Sequence, residues 1–247
     1  MNGPLLIVVF HEILKRVQEK KKKGYPVLVG FTGPAGVGKS TLASVFDYFF
    51  AQQGQPVLRI SFAWFLKSFL RNNLGITKET DPELYRKLAQ QIGTELLRNE
   101  VTPRFHVDKL LDYVLTASEK VKLPPVVIID DVRFPNEVTI LDYLFLPVPM
   151  DTERRKMVID NIPTHESECL EWVVSGVKTM KTWYFLHTPN WRDAQDMREF
   201  LNMLHVERMS ESRDGLDFLI KAIEKGCPKR GGVAYAAAKF TGRKGCN

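Results

Sequence analysis

The stretch "GFTGPAGVGKST", residues 30–41, decides how the rest of the chain is read. It contains Gly-x-x-x-x-Gly-Lys-Ser, from Gly33 to Ser40. Such a motif means little without its flanks. Before it, "PVLVGFT" (Pro26 to Thr32) is short, apolar and Val-rich, the pattern of a buried strand. After it, Leu42, Val45, Phe46, Phe49 and Phe50 recur at helical spacing, and Gly54 marks a stop. Strand, glycine turn and helix together predict a phosphate cradle. Gly33, Gly36 and Gly38 let the backbone wrap an anion, with Pro34, Ala35 and Val37 as the intervening positions. Free N–H groups and the dipole of the helix start favour negative charge there. Lys39 then reaches the outer phosphates of a bound nucleotide, and Ser40, followed by Thr41, offers a hydroxyl to Mg²⁺.

The chain has 247 residues, 44% of them hydrophobic. That suits one large α/β domain, and a core of this size needs no disulfides. Cys169, Cys227 and Cys246 are far apart and lack metal-ligand spacing, so a reducing cytoplasm is the simplest setting. No apolar run approaches the ~18 residues of a membrane span. The N-terminus has neither leading charges nor a small-residue cleavage site, and reads as an amphipathic helical extension over 1–25, ending in Lys20 to Lys23. A domain built around this loop is expected over 26–225, with a lid or insertion within about 147–212. The net charge is +6, and the segment from Lys225 to Asn247 carries six Lys or Arg and no acid. A mobile solvated tail over 226–247 is favoured over a nucleic-acid contact.

Alternation of strands and helices continues through "PVLRIS" (56–61), "FAWFLKSFLRNNLG" (62–75), a long helix over "PELYRKLAQQIGTELLRNE" (82–100) and "PPVVIID" (124–130). In the long helix, Leu84, Leu88, Ile92 and Leu96 mark the expected apolar side. A further helix is expected from Pro135. The segment 147–195 shows no regular pattern. The fold class expected is α/β: a three-layer P-loop NTPase fold, a parallel central sheet between helices, with mobile lid and substrate-binding segments.

Ligands of such sheets gather at the carboxyl ends of the strands. Asp130, Asp131 and Arg133 stand at one such end. One of the two aspartates completes a Mg²⁺ shell, while either also suits a helix cap. Arg133 fits a phosphate oxygen pair, or pairs with Glu137. "ERRK" (153–156) is either a lid carrying Arg154 and Arg155 or a solvated charge run. Aromatics with Lys67 after the second strand, and Arg86, Arg98 and Arg104 further on, point to a second small anionic substrate.

"LAQQIGTELLR" (88–98), "IIDDVRFPNE" (128–137) and "HESE" (165–168), following the glycine loop and "FA…LK" (62–67), resemble the phage-type deoxynucleoside monophosphate kinases over Val27 to Leu170. A weaker echo lies at "SRDGLDFLIKAI" (212–223). The resemblance implies transfer of the γ-phosphoryl group of ATP, with Mg²⁺, to a deoxynucleoside 5′-monophosphate. It implies mobile flaps, a homodimer as one assembly, and the host cytoplasm for a phage protein. Gly33 to Thr41 would bind ATP and Mg²⁺. Arg133 would hold the acceptor phosphate and stabilise transferred charge, and Asp131 would support metal or substrate. Phe62, Ala63, Trp64 and Lys67 would border the acceptor. Gly93, Thr94 and Arg98 would close over it. His165 and Glu168 would line its sugar or base, unless they form a local turn network. The chain departs from the family at Phe105-His106, where a Trp is usual, and matches no family pattern from Glu171 to about Ser212. The alternatives are a P-loop kinase of another small metabolite, with less need of Arg98 and Arg133, and a nucleic-acid-associated ATPase using the basic tail.

Overall fold

The computed structural model describes residues 6–120, 126–163, 169–170, 182–208 and 211–226. Among these residues, six strands form one sheet: β1 (Val27–Thr32), β2 (Val57–Ile60), β3 (Val126–Val132), β4 (Tyr143–Pro149), β5 (Trp183–Thr188) and β6 (His205–Arg208). Their order is β2-β3-β1-β4-β5-β6, parallel except for β6, which runs antiparallel to β5. The helices are α1 (Leu6–Lys21), α2 (Lys39–Gln52), α3 (Trp64–Leu74), α4 (Pro82–Gln90), α5 (Phe105–Lys120), α6 (Pro135–Val138), α7 (Thr152–Asp160), α8 (Met197–Met203) and α9 (Arg213–Gly226). A π-helical segment, Gln91–Val101, continues α4.

Strand alternation sorts side chains into two apolar layers. Val27, Val29 and Phe31 of β1, with Val126 and Ile128 of β3 and Tyr143 and Phe145 of β4, face one layer. There they meet Phe46 and Phe50 of α2 and Phe10 and Ile13 of α1. Phe10 stacks on Phe49 at 3.9 Å, so α1 is built into this layer. Val127 and Ile129 of β3 and Leu144 and Leu146 of β4 face the other layer, with Leu110 of α5, Val158 of α7 and Phe218 of α9. Both faces of the sheet are therefore covered, as buried parallel strands require. No helix among the described residues is long and apolar enough to cross a membrane.

The strands expected at β1, β2 and β3 are present. The helix expected from Pro135 lasts a single turn, and Tyr143 onward is the fully buried strand β4. Its two prolines are tolerated for a local reason. β1 pairs with β4 only from Tyr143 to Phe145, so Pro147 and Pro149 lie past that ladder and pair on the β5 side alone. The irregular stretch 147–195 contains α7 and β5. Cys169 is buried and disulfide-bonded, which the reading of the cysteines as reduced does not anticipate; its partner lies outside the described residues. The basic tail from 227 onward also lies outside them.

One close approach fixes α9 on the sheet. A Cβ built on Gly215 would fall 2.4 Å from Cγ of the Phe185 ring, a rigid atom on β5. Gly215→Ala is therefore expected to destabilise the fold by about 2 kcal/mol through overpacking. The melting temperature should drop by roughly 4–8 °C, with turnover per folded molecule unchanged. A melting curve beside an active-site titration checks both.

Candidate functional site

β1 lies between β3 and β4, and its onward connection leads to β2 on one side, whereas β3 leads on to β4 on the other. Adjacent strands whose connections diverge leave a crevice at their carboxyl ends. The Gly33–Thr41 loop follows β1, and Asp130 to Arg133 end β3, so the topology brings the two sequence clusters together. Thr32 Oγ1 donates to the Val132 carbonyl at 2.9 Å and ties the two strand ends.

In the loop, Gly33, Gly36 and Gly38 have φ of 127°, 80° and 104°, values that favour glycine. Gly38 is the N-cap of α2 and carries no side-chain cap. A glycine there places no side chain in competition with an anion for the first N–H groups of the helix. Val37 is buried beneath the loop and anchors it. Lys39 Nζ donates to the carbonyls of Gly33 at 2.7 Å and Pro34 at 2.8 Å, so its charge is folded over the loop. Ala35, Gly36, Gly38, Lys39, Ser40 and Thr41 line the adjoining cleft. Arg154 lines it too, its Nη2 3.4 Å from where a Cβ on Gly38 would lie. Arg155, by contrast, is fastened to the Pro149 carbonyl and, through two bonds of 2.6 and 2.9 Å, to Asp214. The charge run thus divides: one arginine overhangs the loop, and the next holds α7 to α9.

The two aspartates point to different tasks. Ser40 Oγ donates to Asp130 Oδ2 at 3.1 Å. Asp131 accepts from the Phe62 N–H at 2.7 Å and the Ala63 N–H at 3.3 Å, and its Oδ2 lies 3.5 Å from Lys67 Nζ. Asp131 therefore ties the entry of α3 to the sheet, and Asp130 faces the loop. A hydroxyl beside a carboxylate is an oxygen donor set suited to a hard divalent cation that takes its remaining ligands from phosphate and water. No group of three or more His, Cys, Asp or Glu among the described residues forms a site that would hold a metal by itself.

The cleft, about 750 Å³, runs on from the loop to α3, α4, the π segment and α5. Along it stand Lys39, Lys67, Lys78, Arg86, Arg98, Arg133 and Arg154, against the acids Glu83, Asp130, Asp131 and Glu137. Among the described residues that line it, seven cations stand against four acids, a balance that favours anions. Phe62, Ala63, Leu66, Tyr85, Gly93, Thr94, His106 and Phe134 supply the apolar and neutral walls. Trp64 instead sits against Tyr113, ring centroids 4.7 Å apart, and is not among the lining residues. His165 and Glu168 lie outside the described residues.

The π segment corrects the expected helix face. Leu84 and Leu96 are 39% and 51% exposed, whereas Gly93, Thr94 and Arg98 are buried. Winding of the i→i+5 type places Gly93 and Arg98 one turn apart, and such segments often mark functional sites. Arg98 Nη2 donates to Glu137 Oε1 at 2.6 Å, and its guanidinium lies 3.6 Å from the centre of the Phe134 ring. Glu137 Oε2 accepts from the backbone N–H of Arg133 at 2.6 Å and of Phe134 at 3.1 Å. The charged partner of Glu137 is thus Arg98, and Arg133 reaches it through its main chain. Burial pushes the Glu137 carboxyl up to about 7, against the opposing pull of Arg98.

His106 and Glu137 were not singled out as site residues from the sequence. His106 Nε2 lies 3.0 Å from the Gly93 carbonyl, which can only accept, so this nitrogen carries the proton. Burial lowers the pKa of the ring and keeps it neutral. The available signal was Phe105-His106 itself, where the sequence leaves the pattern of the kinases it resembles.

No protein-family model matches the chain, and no curated protein matches it. Among solved structures it is similar to TT1252 from Thermus thermophilus, at 22% identity and a TM-score of 0.38, over 71% of this chain and 94% of that one. A likeness of that extent carries no argument about fold or function.

Proposed function

We propose that the chain is a P-loop kinase that transfers the γ-phosphoryl group of ATP to a deoxynucleoside 5′-monophosphate, giving a deoxynucleoside diphosphate and ADP. The observation that carries this reading is the continuity of the cleft. It is lined both by a glycine loop with Lys39, Ser40 and Asp130 and by a second group of cations, Lys67 and Arg133, together with Phe62. Two anionic substrates placed end to end need such a channel.

In this reading the loop N–H groups and Lys39 bind the donor phosphates. Arg154 closes over them from α7. Ser40 and Asp130 are the residues that would hold Mg²⁺, which when bound neutralises phosphate charge and orients the oxygens for in-line attack. Arg133 binds the acceptor phosphate. An oxygen of that phosphate attacks the γ-phosphorus, a new P–O bond forms, and the bond to ADP breaks. The attacking oxygen is already anionic, so no strong general base is needed. Alignment and charge neutralisation supply the catalysis. Phe62 and Leu66 offer an apolar wall to the base, and Lys67 stands nearby.

A kinase of an uncharged metabolite remains the competing assignment, and Arg133 and Lys67 on the acceptor side weigh against it. Incubation with ATP, Mg²⁺ and each deoxynucleoside or ribonucleoside monophosphate is expected to yield a diphosphate from at least one deoxynucleotide. ATP hydrolysis with no phosphorylated acceptor would refute the assignment.

A further inference from the structure

The Arg98–Glu137 pair is buried on both sides, with side chains 8% and 2% exposed. Buried ion pairs are poor stabilisers, because the desolvation of two charges offsets their attraction. The contacts of this pair point to another use. The carboxylate grips consecutive main-chain N–H groups, those of Arg133 and Phe134, with its Oε2 atom. Its Oε1 takes Arg98, whose guanidinium also covers the Phe134 ring and donates from Nη1 to the Pro103 carbonyl at 3.2 Å. One side chain from the π segment and one from α6 thus fix the two residues that leave β3 toward the cleft.

We propose that Glu137 is a positioning residue for the acceptor end of the cleft: its carboxylate, held by Arg98, fixes the main chain from which Arg133 reaches the acceptor phosphate. This rests on the kinase reading above. It predicts a specific pH dependence. The charged or titratable groups facing the pair are Asp131 and Arg133 from β3 and its exit, and His106 from α5, which feels both Arg98 and Asp131. Burial raises Glu137 toward neutrality, so its carboxylate is ionised above about 7 and protonated below. Only the ionised form accepts from Arg98 and both N–H groups at full strength. Acceptor affinity should therefore be highest at about pH 8 and weaken as the pH falls through 7. The sign for stability is opposite. A carboxyl with a raised folded-state pKa stabilises the fold fully below its unfolded value, and that contribution is lost as the pH rises through about 7. The form that serves the acceptor is the less stable one.

The test uses the full chain, Glu137→Gln, and the double variant Arg98→Met with Glu137→Leu, which removes both charges together and so avoids stranding one. For each, KM is measured for ATP and for the best deoxynucleoside monophosphate from pH 6 to 9, beside a melting curve. At pH 8 the acceptor KM should rise about tenfold, the low end of what one charge-assisted hydrogen bond supplies. KM for ATP should stay within about twofold. The ratio of variant to parent acceptor KM should fall toward one as the pH drops through neutrality; the titration of the substrate phosphate is common to all three and cancels in that ratio. An unchanged acceptor KM, a parallel rise for both substrates, or failure of both variants to fold would overturn the positioning role. If the unaltered chain phosphorylates no deoxynucleotide, the kinase reading falls and takes this role with it. If it does and the variants behave as the parent, only the positioning role is lost.

Discussion

Lys39→Ala is expected to abolish phosphoryl transfer while leaving the fold standing. The side chain donates to the carbonyls of half-buried Gly33 and buried Pro34, and it lines the cleft, so water entering the space it leaves can bond both acceptors. Alanine also suits the first residue of α2, where it has the best helix propensity. The stability cost should therefore stay within ~1 kcal/mol. The catalytic cost is of another order. In the proposed reaction the ammonium leaves those carbonyls for the β- and γ-phosphates, and the charge it meets there grows as the phosphoryl group moves. Contacts made in the transition state act on turnover. Removing one such donor typically lowers kcat by about 10²–10³-fold. In a site where the lysine is the cation folded over the loop, the upper end is expected. Single-turnover transfer from labelled ATP measures it, with a melting curve as control. Near-normal turnover in a folded variant would mean that the donor phosphates lie elsewhere.

The residues behind this prediction were legible in the sequence because they are local. A glycine loop, its strand and its helix are contiguous, and turn chemistry needs no knowledge of the rest of the fold. Asp130 and Asp131 were equally visible, but their division of labour was not. It depends on β3 standing beside both β1 and β2, so that one carboxylate meets Ser40 and its neighbour meets the N–H groups of Phe62 and Ala63. The long helix through Leu96 failed for a different reason. A 3.6-residue period places Leu84, Leu88, Ile92 and Leu96 on one side, but the chain widens to π winding at Gln91 and turns Gly93, Thr94 and Arg98 inward instead. Small and polar residues then line a cleft where apolar ones were expected to fill a core. β4 escaped notice because two prolines argue against a central strand, and only its partial pairing with β1 makes them acceptable. Arg98 was placed over the substrate by resemblance; a buried partner 39 positions away in the chain is not a feature that spacing reveals.

Arg133→Lys should be no mild change. The structure separates the two halves of this residue. Its main-chain N–H is fixed by Glu137 at 2.6 Å, whatever side chain follows, while the side chain lines the cleft. Substitution by lysine therefore keeps the anchor, the charge and much of the apolar stem, and removes only the planar fork. A guanidinium can hold two phosphate oxygens at once and follow their charge as the acceptor attacks; an ammonium acts as a point charge with freer geometry. The expected result is a fall of at least ~100-fold in kcat/KM for the deoxynucleoside monophosphate, roughly 3 kcal/mol of lost charge-assisted contact. ATP affinity should change little, since in the proposed reaction Lys39 and the loop N–H groups hold the donor. The melting temperature should barely move, because lysine keeps the positive charge, and the Arg98–Glu137 pair and the main-chain anchor of this position are untouched by the substitution. Equilibrium binding of each ligand to parent and variant, beside steady-state kinetics, tests the three claims together. A loss confined to ATP, or shared equally by both ligands, would move Arg133 to the donor side. Early melting would mean that its side chain, and not its main chain alone, braces the exit of β3.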